Sequence, residues 1–305
     1  MRDPHELYEL AGEPPEDLGE PVLIQALTGF VDAGSATRIA REHLLARPDS
    51  TVLVRFDLDQ LLDYRSRRPT MLFVEDHWES YDEEVLAIHL LRDDVGTPYL
   101  LLAGPEPDLY WERFIAAVIS LVERFRVRLT VGLTAIPMAV PHTRPLGVTA
   151  HGTRRDLIAD HQPWLQQVQV PASAGNLLEY RLGKAGRDAI GFAVHVPHYL
   201  AQSEYPAAAE TMLTEVSRAT GLSLPIEELH QAAEQVRAAV DTQVTKASEI
   251  AAHVRTLEEQ YDALMRARQS RSLLDFSDLP TADELGAELE RFLAEQSKPG
   301  DGQNA

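Results

Sequence analysis

Up to about residue 220 the chain alternates short apolar runs with amphipathic stretches, and this alternation restricts the fold more than any single motif does. Residues 21–27 (PVLIQAL), 51–56 (TVLVRF), 98–103 (PYLLLA), 127–133 (VRLTVGL) and 189–196 (AIGFAVHV) are short and largely apolar, with a marked β-branched content. Such runs predict buried strands. Between them, residues 35–45, 108–125, 173–182 and 206–220 have helical spacing. In the second of these, Leu109, Phe114, Ile115, Val118, Leu121 and Val122 form one broad face. Strands that alternate with helices predict an α/β fold: a mostly parallel sheet with helices on both faces, in three layers.

Two stretches depart from this rhythm. Residues 70–91 (TMLFVEDHWESYDEEVLAIHLL) hold two strand-like halves around an acidic centre. That is too little chain for a βαβ unit and suits a β-hairpin excursion. After Gly221 the composition changes, and Pro225 with Glu227 and Glu228 marks a helix start. Val236, Val240, Val244, Ala247, Ile250, Val254, Leu257, Tyr261 and Leu264 then recur every three or four residues, predicting one long amphipathic helix or two in series. Between 226 and 296 there are 15 acids and 7 bases, so the outer face of this region is acidic. Thr281-Ala282-Asp283-Glu284 has the capping-box pattern of a last helix. The expected organisation is an α/β core over 1–222 with its hairpin at about 70–91, a helical cap or lid over 223–296, and a disordered tail over 297–305.

Charge excludes whole classes of partner. The net charge of −20 sets up a field that repels nucleic acid and anionic membrane surfaces. The absence of cysteine rules out disulfides, thiolate catalysis and thiolate metal sites. The first residues, MRDPHELYEL, are acidic where a signal peptide is basic and then apolar. No apolar run approaches the roughly 18 residues of a membrane span. The expectation is a cytoplasmic protein that needs no cofactor.

The polar residues that follow the strand-like runs carry what chemistry the chain offers. In TGFVDAGSA (28–36), Asp32 sits where a helix N-cap belongs, with Ser35 three residues on; the cap is favoured over a ligand contact. In GPEPD (104–108), Asp108 is placed to cap the next helix, while Glu106 is either a solvated turn carboxylate or a residue of a cleft at the carboxyl ends of the strands. AVPHTRP (139–145) sets His142, Thr143 and Arg144 between two prolines. His142 is a candidate to move a proton near neutral pH, and Arg144 offers a planar fork to an anion or pairs with Glu106 or Glu179. Glu179, between apolar neighbours in LLEY, is a candidate acid or base or a salt-bridge partner. In HVPHYL (195–200), His195 reads as a buried core residue, and His198 and Tyr199 as rim residues. His142, His151, His195 and His198 have no spacing that builds a zinc site, so no metal is expected. No Walker loop, nucleophile elbow or HExxH pattern is present.

Taken together, Gly29-Phe30-Val31-Asp32-Ala33-Gly34, GPEPD, AVPHTRP, Leu177-Leu178-Glu179-Tyr180 and His195-Val196-Pro197-His198-Tyr199-Leu200 resemble the proteasome assembly chaperone 2 family, in particular its actinobacterial branch. The likeness spans residues 20–220, and the helical region resembles that branch's C-terminal extension. It implies a phosphorylase/hydrolase-like α/β core of the purine nucleoside phosphorylase kind, a hairpin insertion used in oligomerisation, a homotrimer, and helices that cap a cleft. It implies no known reaction. Two functions stay open: an oligomeric binding or assembly protein with a proteasome-related partner, or an enzyme or receptor for a small anionic or nucleoside-like ligand. The ligand-cleft candidates are Asp32, Ser35, Glu106, His142, Thr143, Arg144, Glu179, His198 and Tyr199.

Overall fold

The structure is a computed structural model that describes residues 3–164 and 167–277, with side chains described as far as Arg268. Two compact units divide the chain, 1–252 and 253–305. In the first unit the strands are β1 (Tyr8–Leu10), β2 (Val22–Thr28), β3 (Thr51–Phe56), β4 (Met71–Val74), β5 (His77–Tyr81), β6 (Ala87–Arg92), β7 (Pro98–Pro105), β8 (Leu129–Met138), β9 (Val148–Gly152) and β10 (Ala189–Pro197). The helices are α1 (Ala36–Leu45), α2 (Leu58–Leu61), α3 (Trp111–Arg124), α4 (Ala174–Lys184), α5 (Pro206–Thr220) and α6 (Glu227–Lys246). Helix α7 (Ser248–Ser277) supplies the described part of the second unit, where Val254, Leu257 and Tyr261 are buried at helical spacing. The expected last helix and the tail over 297–305 lie outside the described residues.

Eight strands form one sheet in the order β1-β3-β6-β7-β2-β8-β10-β9. The central run β7-β2-β8-β10 is parallel, and β1, β6 and β9 are antiparallel to their neighbours. Each buried strand sends alternate side chains to opposite faces. Val22, Ile24 and Ala26 of β2 join Ala36, Ala40 and Leu44 of α1 and Met212 and Val216 of α5 in one apolar layer. Leu23 and Leu27 join Phe114 and Val118 of α3 and Leu178 and Leu182 of α4 in the other. The result is the three-layer α/β sandwich that the alternation predicts.

Helix ends follow from local chemistry. Pro206 opens α5, and Gly221 closes it with φ 78°, a left-handed value that costs glycine little. Helix α6 begins at the acidic pair Glu227 and Glu228 and lays Leu229 and Val236 against the α1/α5 layer. The expected cap at Asp108 is not where α3 starts. Tyr110 in a left-handed conformation precedes that helix, and Asp108 instead accepts the Asp63 amide at 2.9 Å and pairs with Arg67 at 2.8 Å.

The stretch 70–91 is a shorter hairpin followed by a core strand. Among the described residues β4 and β5 pair only with each other, and every residue of both is exposed. β6 instead lies between β3 and β7, with Ala87, Ile88 and Leu91 buried. The acidic run Asp82-Glu83-Glu84 that separates them belongs in water, so the apolar residues beyond it return to the core.

Candidate functional site

Strand β8 runs on past the predicted end at Leu133 to Met138, which carries the following loop beyond the edge of the core. There Pro141 and His142 are buried, and the His142 imidazole is 1% exposed. The backbone N–H of His142 donates to the Tyr199 hydroxyl at 2.8 Å, and Nδ1 of the same ring lies 2.7 Å from that hydroxyl. Nε2 lies 3.1 Å from Oδ1 of Asp241 on α6. A carboxylate only accepts, so Nε2 carries the ring proton, and in the neutral ring Nδ1 accepts a hydrogen bond from the Tyr199 hydroxyl. Tyr199, His142 and Asp241 thus form one directed hydrogen-bond chain across three segments of the first unit.

Beside this chain is a groove of about 460 Å³ between the 142–146 loop, α5 and α6. His142, Thr143, Arg144 and Tyr205 line it together with Glu210, Glu215, His230, Glu234 and Arg237. Glu210 is bonded to His230 at 2.9 Å and holds its imidazolium above the usual histidine range. Glu234 pairs with Arg237 at 2.7 Å. Burial pushes the Tyr205 hydroxyl up to about 12, so it stays protonated at neutral pH. Arg144 donates to the Thr143 carbonyl at 3.3 Å.

The other candidate residues do not line this groove. The Asp32 carboxylate accepts the amides of Thr37 at 2.7 Å and Arg38 at 3.0 Å, so it caps α1. Ser35, with φ 51°, precedes the same helix and donates its amide to the Asp32 carbonyl at 3.0 Å. Gly34, with φ 68°, is stapled to the 199–205 segment by hydrogen bonds to Ala201 and Tyr205, which sets the Asp32 turn against the loop that carries Tyr199. His198 is exposed and lies edge-on to the Tyr199 ring at 5.4 Å.

Glu106 corrects the expectation of a solvated turn carboxylate. It is 6% exposed, and its Oε1 accepts the amide of Ala174, the first residue of α4. A carboxylate at a helix N-terminus satisfies an orphan amide and complements the helix dipole. The turn before it is shaped to admit the side chain, since a Cβ on Gly29 would fall 2.7 Å from that of Glu106. Glu179 pairs with His151 at 2.8 Å on the same α4 face, away from the groove. His195 is fully buried and its Nε2 meets the Thr149 hydroxyl at 2.8 Å. Among the described residues, no three His, Asp or Glu side chains are placed to hold a metal ion.

Asp241 and Tyr205 were not foreseen. Asp241 lies 99 residues from His142 and directly after the apolar Val240, so nothing local marks it. Among the described residues no helix is long and apolar enough to cross a membrane.

The arrangement is similar to several solved structures. A Mycobacterium tuberculosis protein of unknown function is 52% identical, covering 88% of this chain and 92% of its own, with a TM-score of 0.84. A Corynebacterium glutamicum protein of unknown function is 41% identical over 85% of this chain and 98% of its own, with a TM-score of 0.81. A proteasome-assembly chaperone homologue of M. tuberculosis shares the fold at 24% identity, over 76% of this chain and 99% of its own, with a TM-score of 0.70. None of the curated proteins compared with the chain matches it. The PAC2 family model matches residues 26–244, which include β8, the His142 loop, Tyr199 and Asp241, and the chain belongs to the PAC2 family.

Proposed function

We propose that the chain is an oligomeric binding or assembly protein of the cytoplasm. In this reading it forms a homotrimer, acts with a proteasome-related partner, and uses the groove beside His142 as a ligand cleft under a helical lid. The observation that carries the reading is the β4–β5 hairpin. Met71, Leu72, Phe73, Trp78 and Tyr81 are between 45% and 62% exposed on strands that pair with nothing else among the described residues. An isolated two-stranded hairpin is marginal in water, and an apolar patch of this kind marks a contact surface. The chaperone homologue that shares the fold supports a proteasome-related partner.

A second reading is favoured by the Tyr199–His142–Asp241 chain. A histidine held between a hydroxyl and a carboxylate is the arrangement of a general acid or base. On this reading the groove takes a small anionic or nucleoside-like ligand as an enzyme or receptor site, with Arg144 and Arg237 as the cationic residues of the lining. The three glutamates of the lining weigh against an anion and leave the binding reading ahead.

Light scattering on the purified full chain tests the first reading. The expected mass is three times the 33.9 kDa of the chain, falling to the single-chain value in a Phe73→Ser/Trp78→Ser double variant with an unchanged circular dichroism spectrum. A monomeric wild type sinks the oligomer. Co-purification with assembling proteasome subunits tests the partner. If no subunit is retained, and mass spectrometry finds a stoichiometric small molecule that Arg144→Ala releases, the second reading replaces the first.

A further inference from the structure

Under α4, on the face of the sheet opposite the groove, strands β2, β8 and β9 carry polar side chains. β8 points Thr130, Gly132 and Thr134 this way, while Val131, Leu133 and Ala135 face the α1/α5 layer. The Thr130 residue is 4% exposed, and its buried hydroxyl meets no hydrogen-bond partner among the described residues. Next to it the Gln25 carboxamide, on a residue 6% exposed, lies between two glycines. A Cβ on Gly132 would fall 3.1 Å from its Oε1, and one on Gly175 of α4 would fall 2.7 Å from its Nε2. Gly191 of β10 gives His151 the same room, since a Cβ there would lie 2.7 Å from Nε2 of the ring. Three glycines on three elements therefore make space for two polar side chains. Nδ1 of His151 is 2.9 Å from Oε1 and 2.8 Å from Oε2 of Glu179. The carboxylate accepts, so Nδ1 carries the proton and Nε2 of the neutral ring is left as an acceptor. The cavity enclosed by these groups measures about 10 Å³, room for one water-sized centre.

We propose that this cell is a recognition pocket for the tip of a small neutral molecule, a hydroxyl or a carboxamide, with Gln25 and Thr130 as its floor and the His151–Glu179 pair as its rim. Three features select that chemistry. The floor offers dipoles that both donate and accept, which suits a group that does both. The floor residues Gln25 and Thr130 carry no charge, so an ion held there would be desolvated without a counter-charge. The volume admits a single heavy atom, so one oxygen or nitrogen of the tip enters while the rest of the group stays at the rim. The inference is independent of the oligomer and of the groove.

Formamide is the probe, titrated into the full chain and followed by amide NMR. Saturable shifts are expected at the Gln25 side-chain amide and at the backbone amides of Gly132, Gly175 and Gly191, with α6 signals unmoved. Thr130→Ala should weaken the apparent affinity about two- to tenfold, the loss of one neutral hydrogen bond, while Thr130→Ser keeps it. The Ser variant separates loss of the hydroxyl from loss of the fold. Shifts that never saturate, equal affinity in the Ala and Ser variants, or a crystal grown in saturating formamide with only an ordered water on the floor would each overturn the proposal.

Discussion

Strand β8 packs the two faces of the sheet by different rules. Toward α1 and α5 it contributes Val131, Leu133 and Ala135 to a continuous apolar layer, where each side chain is 3% exposed or less. Toward α4 it contributes Thr130, Gly132 and Thr134, interleaved with Gln25 and His151. Burial is similar at the two sides of Thr130 and Val131, yet the chemistry is opposite. An apolar layer tolerates any shape that fills space, because dispersion and the hydrophobic effect have no direction. A polar cell needs hydrogen bonds at fixed angles, and glycines that keep the backbone out of their way. Helix α4 is suited to such a layer. Its N-terminus is tied by the carboxylate of Glu106 and the hydroxyl of Ser173, and only Ala174, Leu178 and Leu182 are buried.

The contrast can be broken from either side. The largest effect is expected from Ile24→Ala in the apolar layer, where the side chain is fully buried. Removing it leaves a cavity, and unfolding in urea should show a loss of about 2–5 kcal/mol. A loss below about 1 kcal/mol would mean that the layer is loosely packed.

Gly191→Ala comes next. The added methyl meets the His151 ring, which must shift and loosen from Glu179. Overpacking of this kind costs about 1–3 kcal/mol. Gly186→Ala is the control, because its Cβ would meet nothing within 4 Å. Its φ of 70° adds backbone strain of its own, so the His151 NMR signal, perturbed by the first variant alone, separates the two effects.

Glu106→Gln keeps the shape and removes the charge at the start of α4. About 1 kcal/mol of stability should be lost. Hydrogen exchange should rise first at the amides of Ala174 and its neighbours. Uniform exchange throughout the unit would place the Glu106 contribution elsewhere.

The smallest effect belongs to the groove. Glu210 raises the titration midpoint of the exposed His230. A raised folded value means that the pair stabilises fully at pH below the unfolded histidine value of about 6.5 and loses this as pH rises through the folded midpoint. In an NMR titration, Glu210→Gln should lower that midpoint. An unmoved midpoint would show that the pair does not persist in solution.

The strands and helices of the core were legible because periodicity and turn chemistry are local. The runs at 51–56 and 206–220 coincide with β3 and α5, and Asp32 caps α1 as its position suggests. β1, β6 and β9 were not legible as core strands. β1 has three residues, β9 is a sheet edge that mixes Thr, His and Gly with apolar residues, and β6 follows an acidic run that made it resemble half of a hairpin. The candidate residues at strand ends were legible as a set but not as groups. The sequence places Asp32, Glu106, His142 and Glu179 alike after or beside apolar runs. The fold sends Asp32 and Glu106 to helix N-termini, His142 to Tyr199, and Glu179 to His151.

What the sequence by itself determined is the α/β class, the order of the elements and the absence of cysteine chemistry, because period, length and composition act over a few residues at a time. Only the tertiary structure decided that His142 would face Asp241 and that Gln25, between Gly132 and Gly175, would line one small cavity with Thr130. Those pairs come from chain segments 99 and 105 residues apart. Their energies depend on angles and contacts that exist only after the sheet has closed and the helices have packed.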